Sequence, residues 1–123
     1  HPSDADGRAD IYALGAVGFF LLTGKRLFET ETEHDLTYQV LHVVPRLSSE
    51  CSPYAVPVEL DALIGRCLEK DPAARPQTIA EVASALDGVL VHMPWTRTQI
   101  DAWWNQNWVD EGDPARRFTA PAA

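Results

Sequence analysis

Cysteine, methionine and long apolar runs are scarce in this 123-residue sequence. The two cysteines, Cys51 and Cys67, are too few for a disulfide framework or a cysteine-ligated zinc site. This favours a reducing compartment, and we expect a cytoplasmic location. The longest apolar run extends from Ile11 to Leu22, well short of the roughly 20 residues that a membrane-spanning helix needs. The sequence therefore predicts no membrane insertion.

Basic residues are also scarce, with 10 Lys and Arg against 18 Asp and Glu and a net charge of −8. Phosphate contacts depend on clustered Lys and Arg, so we do not expect a nucleic-acid partner. The 46% hydrophobic and 23% charged content is average for a globular domain, which indicates one domain at most. The chain starts with the polar string HPSDADGRAD and lacks an initial Met, and we interpret it as a piece of a longer polypeptide.

Motifs that carry chemistry are missing. The glycines form neither GxGxxG nor GxxxxGK[ST], the histidines lack metal-ligand spacing, and no serine lies in a GxSxG elbow. We therefore predict no catalytic, cofactor-binding or metal-binding residue in this chain.

The hydrophobic pattern is helical throughout, and no strand pattern is present, which predicts an all-α fold. The first helix, Asp10 to Thr23, is apolar on every side and should be central, with Asp10 capping its start and Gly24 following its end. Gly15 and Gly18 share one face of this helix. They predict the close approach of another backbone.

Three further helices follow from the spacing of apolar residues and caps. The second runs from about Glu33 to Val44 with Thr30 at its cap, and a loop containing Ser48 and Ser49 comes next. The third covers 58–71 and the fourth begins after Thr78. The predicted buried residues are Leu60, Leu63, Ile64, Cys67 and Leu68 on the third helix and Ile79, Val82, Ala83, Leu86 and Leu90 on the fourth.

A last helix follows Pro94, with Thr96 and Gln99 at capping-box spacing. Ile100, Trp103, Trp104 and Trp108 lie along one side of it. The tryptophans either dock on the preceding helices or form a partner site, and docking is favoured because exposed aromatic patches are uncommon on monomers. The tail from Asp110 should fray.

Two strings of residues resemble a known family. DIYALG at 10–15 with LTG at 22–24, followed by CLEKDPAARP at 67–76, is similar in order and spacing to the large lobe of bacterial eukaryotic-type serine/threonine protein kinases. The resemblance implies the helical C-terminal portion of that lobe, with about five helices around a central apolar helix. It divides the chain into the end of the activation segment (1–9), a partial helical subdomain (10–92), a Trp-rich helix (93–109) and a flexible tail (110–123).

The resemblance gives structural roles to Asp10, Gly15 and Arg75. The residue matching Asp10 holds the backbone of the catalytic loop in the family. The residue matching Arg75 pairs with the Glu of an Ala-Pro-Glu motif that is absent from this sequence, so Arg75 should face an empty socket or borrow an acid such as Asp4 or Asp6. On that basis Arg75→Met should be nearly neutral.

The resemblance also implies a parent kinase that uses ATP and Mg²⁺ to phosphorylate protein hydroxyls. Its Gly-rich loop, strand Lys, HRD and DFG motifs are absent here, so we expect a scaffold whose partner is the rest of its kinase domain. The segment 25–44 lies near protein substrates and regulators in the family, which makes Phe28 an interaction candidate. Trp103, Trp104 and Trp108 are candidates for a separate reason, the aromatic face that they form on the last helix. The alternative is a stand-alone helical interaction or regulatory module that binds through the tryptophan face.

Overall fold

The computed structural model describes residues 7–93 and 95–107, and these two stretches contain helices and no strand. The all-α prediction is therefore confirmed. The helices are α1 (Gly7–Thr23), α2 (Glu33–His42), α3 (Ser48–Cys51), α4 (Val58–Cys67), α5 (Ile79–His92) and α6 (Arg97–Asn107), with a 3₁₀ turn at Pro72–Ala74. The chain divides into two compact units between Val89 and Leu90.

Helix α1 begins at Gly7, three residues before the predicted start at Asp10, and ends at Thr23 as predicted. Asp10 lies in the first turn and is exposed, so its predicted position as the cap is wrong. Arg8 and Ala9 are good helix formers and extend the helix upstream. At the other end Gly24 has a φ of 70°, and its N–H donates to the carbonyl of Phe20 at 2.8 Å. This left-handed glycine ends the helix as predicted.

Only one face of α1 is buried. Ile11, Gly15, Phe19 and Thr23 form that face, which packs mainly on α4 and α3. The other side carries exposed Leu14, Val17, Phe20 and Leu21. The expectation of a helix buried all round is therefore wrong for the described residues, because the other elements of this unit cover a single face.

The contact between α1 and α4 is unusually close at Gly15. A Cβ atom at this position would lie 2.8 Å from Cβ of Cys67 and 3.1 Å from Leu68 side-chain atoms. At Gly18 it would meet the side chain of Ile64, with the terminal Cδ1 at 2.5 Å and Cγ1 at 3.8 Å. The predicted close approach of another backbone therefore fits Gly15, where α4 comes close enough for the Cβ of Cys67 to fill the space, whereas at Gly18 a side chain of α4 fills it.

Helix α4 presents the apolar face that its sequence predicts. Leu63, Ile64, Cys67 and Leu68 are buried and Leu60 is half-buried. They form two clusters with residues of α1 and α5: Ile11, Leu63, Cys67 and Val82 in the first, and Phe19, Ile64 and Leu68 in the second. The core of this unit is therefore built on α4.

The predicted N-terminal caps are confirmed at α5 and α6 and wrong at α1 and α2. Thr78 accepts the N–H of Glu81 at α5, and at α6 Thr96 and Gln99 each accept the other's backbone N–H. At α2 the cap is Thr32, which accepts the N–H of Asp35 at 3.1 Å. Thr30 is therefore not the cap.

Two other predictions differ from the structure. Helix α2 ends at His42 and not at Val44, because the chain is already extended at Val43 before Pro45. On α5 only Val82 is buried among the residues predicted to face the core, while Leu86 and Leu90 are exposed. The core formed with α1 and α4 includes only Val82 and the half-buried Ala85 of α5.

Helix α3 was expected to be loop, and it raises the helix count above the five predicted. Asp61 on α4 explains it. Its carboxylate accepts the hydroxyls of Ser48 and Ser49, both at 2.6 Å, and the N–H of Ser49 at 3.1 Å. A side chain from another helix therefore satisfies an amide that the start of α3 leaves unpaired.

Candidate functional site

The segment 67–76, which carries the resemblance, forms a compact bend after α4. Asp71 accepts the N–H of Ala73 at 2.9 Å and opens the 3₁₀ turn, and Pro76 at its end is fully buried. Two cations, Lys70 and Arg75, extend from this bend to other helices. It is the part of the chain where charged side chains organise the surrounding backbone.

Arg75 binds three backbone carbonyls. Its Nε–H donates to Glu69 at 2.8 Å, and its Nη1 and Nη2 groups donate to Arg8 at 2.9 Å and Lys70 at 3.3 Å. Backbone carbonyls already in place therefore satisfy three of its five N–H groups, and the empty socket facing the other two stays a prediction. The alternative acids, Asp4 and Asp6, lie outside the described residues.

Tyr12 on α1 lies beneath the same guanidinium. The Arg75 carbon Cζ is 4.9 Å from the centre of the Tyr12 ring, within range of a cation–π interaction. The Tyr12 hydroxyl is buried and has no hydrogen-bond partner in the described structure. Burial raises its pKa, and the charge of Arg75 opposes that rise. The hydroxyl is therefore protonated at neutral pH.

Lys70 connects the bend to α2. Its Nζ donates to the carbonyls of Val40 at 2.7 Å and Gln39 at 3.2 Å, and lies 5.0 Å from the centre of the Phe28 ring. Burial lowers the pKa of Lys70, and the charge of Arg75 lowers it further. The ammonium interacts with carbonyls at the end of α2, where the helix dipole favours positive charge.

The hydrogen bonds of Lys70 and Arg75 position backbone carbonyls of three segments. Burial raises the pKa of the Cys67 thiol, with Arg66 and Arg75 acting in the opposite direction, so the thiolate is disfavoured at neutral pH. Within 7–93 and 95–107 no three His, Cys, Asp or Glu side chains come together as a metal site. The chemistry of the site is that of hydrogen bonding and packing.

The other predicted site residues lie elsewhere. Phe28 is half-buried beside Lys70 and lines a cavity of about 460 Å³ between α1, the following loop and α2. On α6, Trp103 and Trp104 form an edge-to-face pair with ring centres 5.1 Å apart. Trp104 is 45% exposed. Trp108 lies outside the described residues, and docking of the tryptophan face stays a prediction.

Sequence reasoning missed Tyr12, Lys70 and Asp61. Tyr12 and Lys70 lie inside the strings that carry the resemblance, DIYALG and CLEKDPAARP, so their place in those strings was an available signal. No sequence signal indicated that Asp61 would bind Ser48 and Ser49, because the contact depends on where the intervening loop returns.

Comparison with known proteins places relatives of this chain among serine/threonine protein kinases. A probable kinase of Corynebacterium efficiens is 39% identical over 87 residues, which cover 68% of this chain and 13% of the relative. Serine/threonine-protein kinase A of Synechocystis sp. is 34% identical over 88 residues, 70% of this chain and 16% of the relative. A putative kinase of Acanthamoeba polyphaga mimivirus is 35% identical over 81 residues, 65% of this chain and 27% of the relative.

The chain thus spans only 13% to 27% of the length of these three relatives. No protein-family model matches it. Within the described stretches, none of the helices combines the length and apolar character that crossing a bilayer requires.

Proposed function

We propose, from the relationship of this chain to a short segment of bacterial serine/threonine protein kinases, that it forms the helical C-terminal part of the large lobe of such a kinase. The complete domain would transfer the γ-phosphate of ATP to protein Ser and Thr hydroxyls. This segment would act as its scaffold. The similarity to several such kinases over two thirds of the chain is the observation that carries the proposal.

The contacts of Arg75 support a scaffold role. A guanidinium has five N–H groups, and three separate backbone carbonyls accept hydrogen bonds from Arg75. Two N–H groups remain for a carboxylate. The resemblance assigns that carboxylate to the Glu of an Ala-Pro-Glu motif elsewhere in the kinase domain.

The exposed face of α1 supports the remainder of the kinase domain as the partner. Leu14, Val17, Phe20 and Leu21 are each at least 40% exposed, and a contiguous apolar surface of this kind usually marks an interface. Asp10 is exposed one turn before Leu14. In the complete domain its carboxylate would accept amide hydrogen bonds from the catalytic loop.

ATP and Mg²⁺ would bind elsewhere in the complete domain. The sequence has no glycine-rich phosphate loop and no DFG motif, whose Asp holds Mg²⁺ in this family. We therefore assign no residue of this chain to either group. The complete kinase would work in the cytoplasm, and the loop around Phe28 would contact protein substrates or regulators.

The coding sequence on the 5′ side of His1 tests the proposal. We expect codons for an Ala-Pro-Glu motif shortly upstream, preceded by DFG and HRD motifs in the same reading frame. A stop codon followed by a new start site would contradict the proposal and favour the stand-alone helical module.

A further inference from the structure

A cavity of about 340 Å³ opens between the segment that joins α2 to α3 and the C-terminal half of α4. It adjoins the bend at Glu69 and Lys70, and it shares no lining residue with the cavity beside Phe28. Its apolar side includes Val44, Leu47, Ile64 and Leu68. Val44 is 81% exposed and Leu47 is 48% exposed, so apolar surface at its mouth faces solvent.

The charged residues around this cavity are mostly basic. Arg46, Arg66 and Lys70 line it together with a single acid, Glu69. This clustering stands out in a chain whose net charge is −8. The cavity is therefore a local positive region on an acidic protein, which attracts negatively charged ligands.

Arg46 and Arg66 are available to bind a ligand, whereas Lys70 is already engaged. Lys70 donates to the carbonyls of α2. In contrast, neither Arg46 nor Arg66 forms a side-chain hydrogen bond or an ion pair with any residue of the described stretches. Their guanidinium groups are exposed, and each can bind a carboxylate through two parallel N–H groups.

Gly65 leaves the α4 wall of the cavity open. It lines the cavity, and a Cβ atom added to it would meet no atom within 4 Å. A ligand can therefore approach the helix backbone at this point. The same open space allows a larger side chain to be introduced there to block the cavity.

We propose that this cavity binds an acidic peptide segment of a protein partner. An apolar side chain of the peptide lies against Val44, Leu47 and Leu68, and flanking Glu or Asp side chains bind Arg46 and Arg66. The combination of an apolar wall with unpartnered guanidinium groups selects such a peptide over a simple anion, because most of the lining is apolar. This peptide site does not depend on kinase activity, so the peptide proposal and the kinase proposal can fail independently.

A fluorescein-labelled peptide of alternating Leu and Glu tests the site by fluorescence anisotropy with the 123-residue chain. We expect saturable binding that weakens as salt is raised. Replacing both arginines, Arg46→Gln with Arg66→Gln, should weaken it about tenfold, which corresponds to about 1.4 kcal/mol. The matched control, Lys25→Gln with Arg26→Gln, changes the net charge equally outside the cavity and should leave the affinity unchanged.

Gly65→Trp provides an independent test that keeps both arginines. It should abolish peptide binding while the melting temperature stays within a few degrees of the parent chain, because the added ring enters open space. Equal binding by the arginine variant and its control, or by a peptide with Gln in place of Glu, would overturn the proposal. Failure of the peptide to bind would also overturn it, as would displacement by inorganic phosphate at the peptide's own affinity.

Discussion

The guanidinium of Arg75 lies over the ring of Tyr12, with Cζ 4.9 Å from the ring centre. The same side chain donates to the carbonyl of Arg8 in the first turn of α1. One residue therefore joins the bend after α4 to the beginning of the most apolar helix. The hydroxyl of that tyrosine is buried and has no hydrogen-bond partner among the described residues.

Arg75→Met should destabilise the chain by about 2–4 kcal/mol, because charged donors to three carbonyls and a cation–π contact are lost together. This replaces the near-neutral effect expected from the sequence. Urea unfolding followed by circular dichroism measures it, with Arg26→Met as the control, since Arg26 is exposed and makes no such contacts. A loss below about 0.5 kcal/mol would show that the carbonyls are satisfied without the guanidinium.

The stabilities of three glycine-to-alanine variants should follow the space available for a Cβ atom at each position. Gly15→Ala should cost about 1–2 kcal/mol, because its Cβ would lie 2.8 Å from the Cβ of Cys67 on a packed helix. Gly18→Ala should be within about 0.5 kcal/mol of neutral, since the Ile64 methyl can rotate away while helix propensity improves. Gly65→Ala, which meets nothing within 4 Å, should stabilise by up to about 1 kcal/mol. Thermal unfolding midpoints in any other order would contradict the close packing of α1 on α4.

Asp61→Ala should destabilise the chain by about 2 kcal/mol at neutral pH, because it removes three hydrogen bonds and leaves the Ser48 hydroxyl buried without an acceptor. Asp87→Ala is the control, since Asp87 is an exposed helical residue. Denaturant midpoints of the two variants give the comparison. Equal losses would mean that α3 does not depend on Asp61.

The contribution of Asp61 should also depend on pH in a defined direction. Partial burial raises its pKa, but the hydrogen bonds from Ser48 and Ser49 together outweigh burial and hold the pKa below the ordinary value of 3.8. A lowered folded-state pKa gives stability that is complete above the unfolded value and is lost as pH falls through the folded value. The difference between parent and Asp61→Ala should therefore be constant down to about pH 5 and shrink below about pH 4. A difference that grows on acidification would contradict this.

Lys70→Met should loosen the C-terminal end of α2, because the ammonium that binds the carbonyls of Gln39 and Val40 is removed while the apolar stem remains. Hydrogen exchange should show a loss of protection of about tenfold in α2, with α4 unchanged. Lys25→Met is the control, since its side chain lies outside this contact. Uniform loss in both helices would instead indicate a role in the core.

The sequence predicted the elements better than their connections. The apolar spacing of α4 and the caps at Thr78 and Thr96 were local signals, and the structure confirms them. The predicted start of α1 at Asp10 was wrong, because an acidic residue is as favourable in the first turn of a helix as at its cap. The Thr32 cap was missed because Thr30 has a carboxylate at the same spacing.

The contacts of the bend with α1 and α2 could not be predicted, because they join Arg75 and Lys70 to residues far away in the chain. Arg75 was expected to need an acid, whereas backbone carbonyls of the bend and of α1 accept three of its five N–H groups. Asp61 meets Ser48 only after the loop between α3 and α4 turns back. The spacing of apolar residues predicts which face of a helix is buried, and the residue types at its ends predict its caps. Neither predicts which distant group a long polar side chain will contact.

Transfer of labelled γ-phosphate from ATP, with Mg²⁺ and casein as acceptor, tests the central claim most directly. The assay compares the 123-residue chain with the complete translation product of its gene. The account predicts that the complete product labels casein and that the 123-residue chain does not. Labelling by the 123-residue chain alone would contradict the scaffold assignment, and a complete product without transfer activity would contradict the proposed kinase.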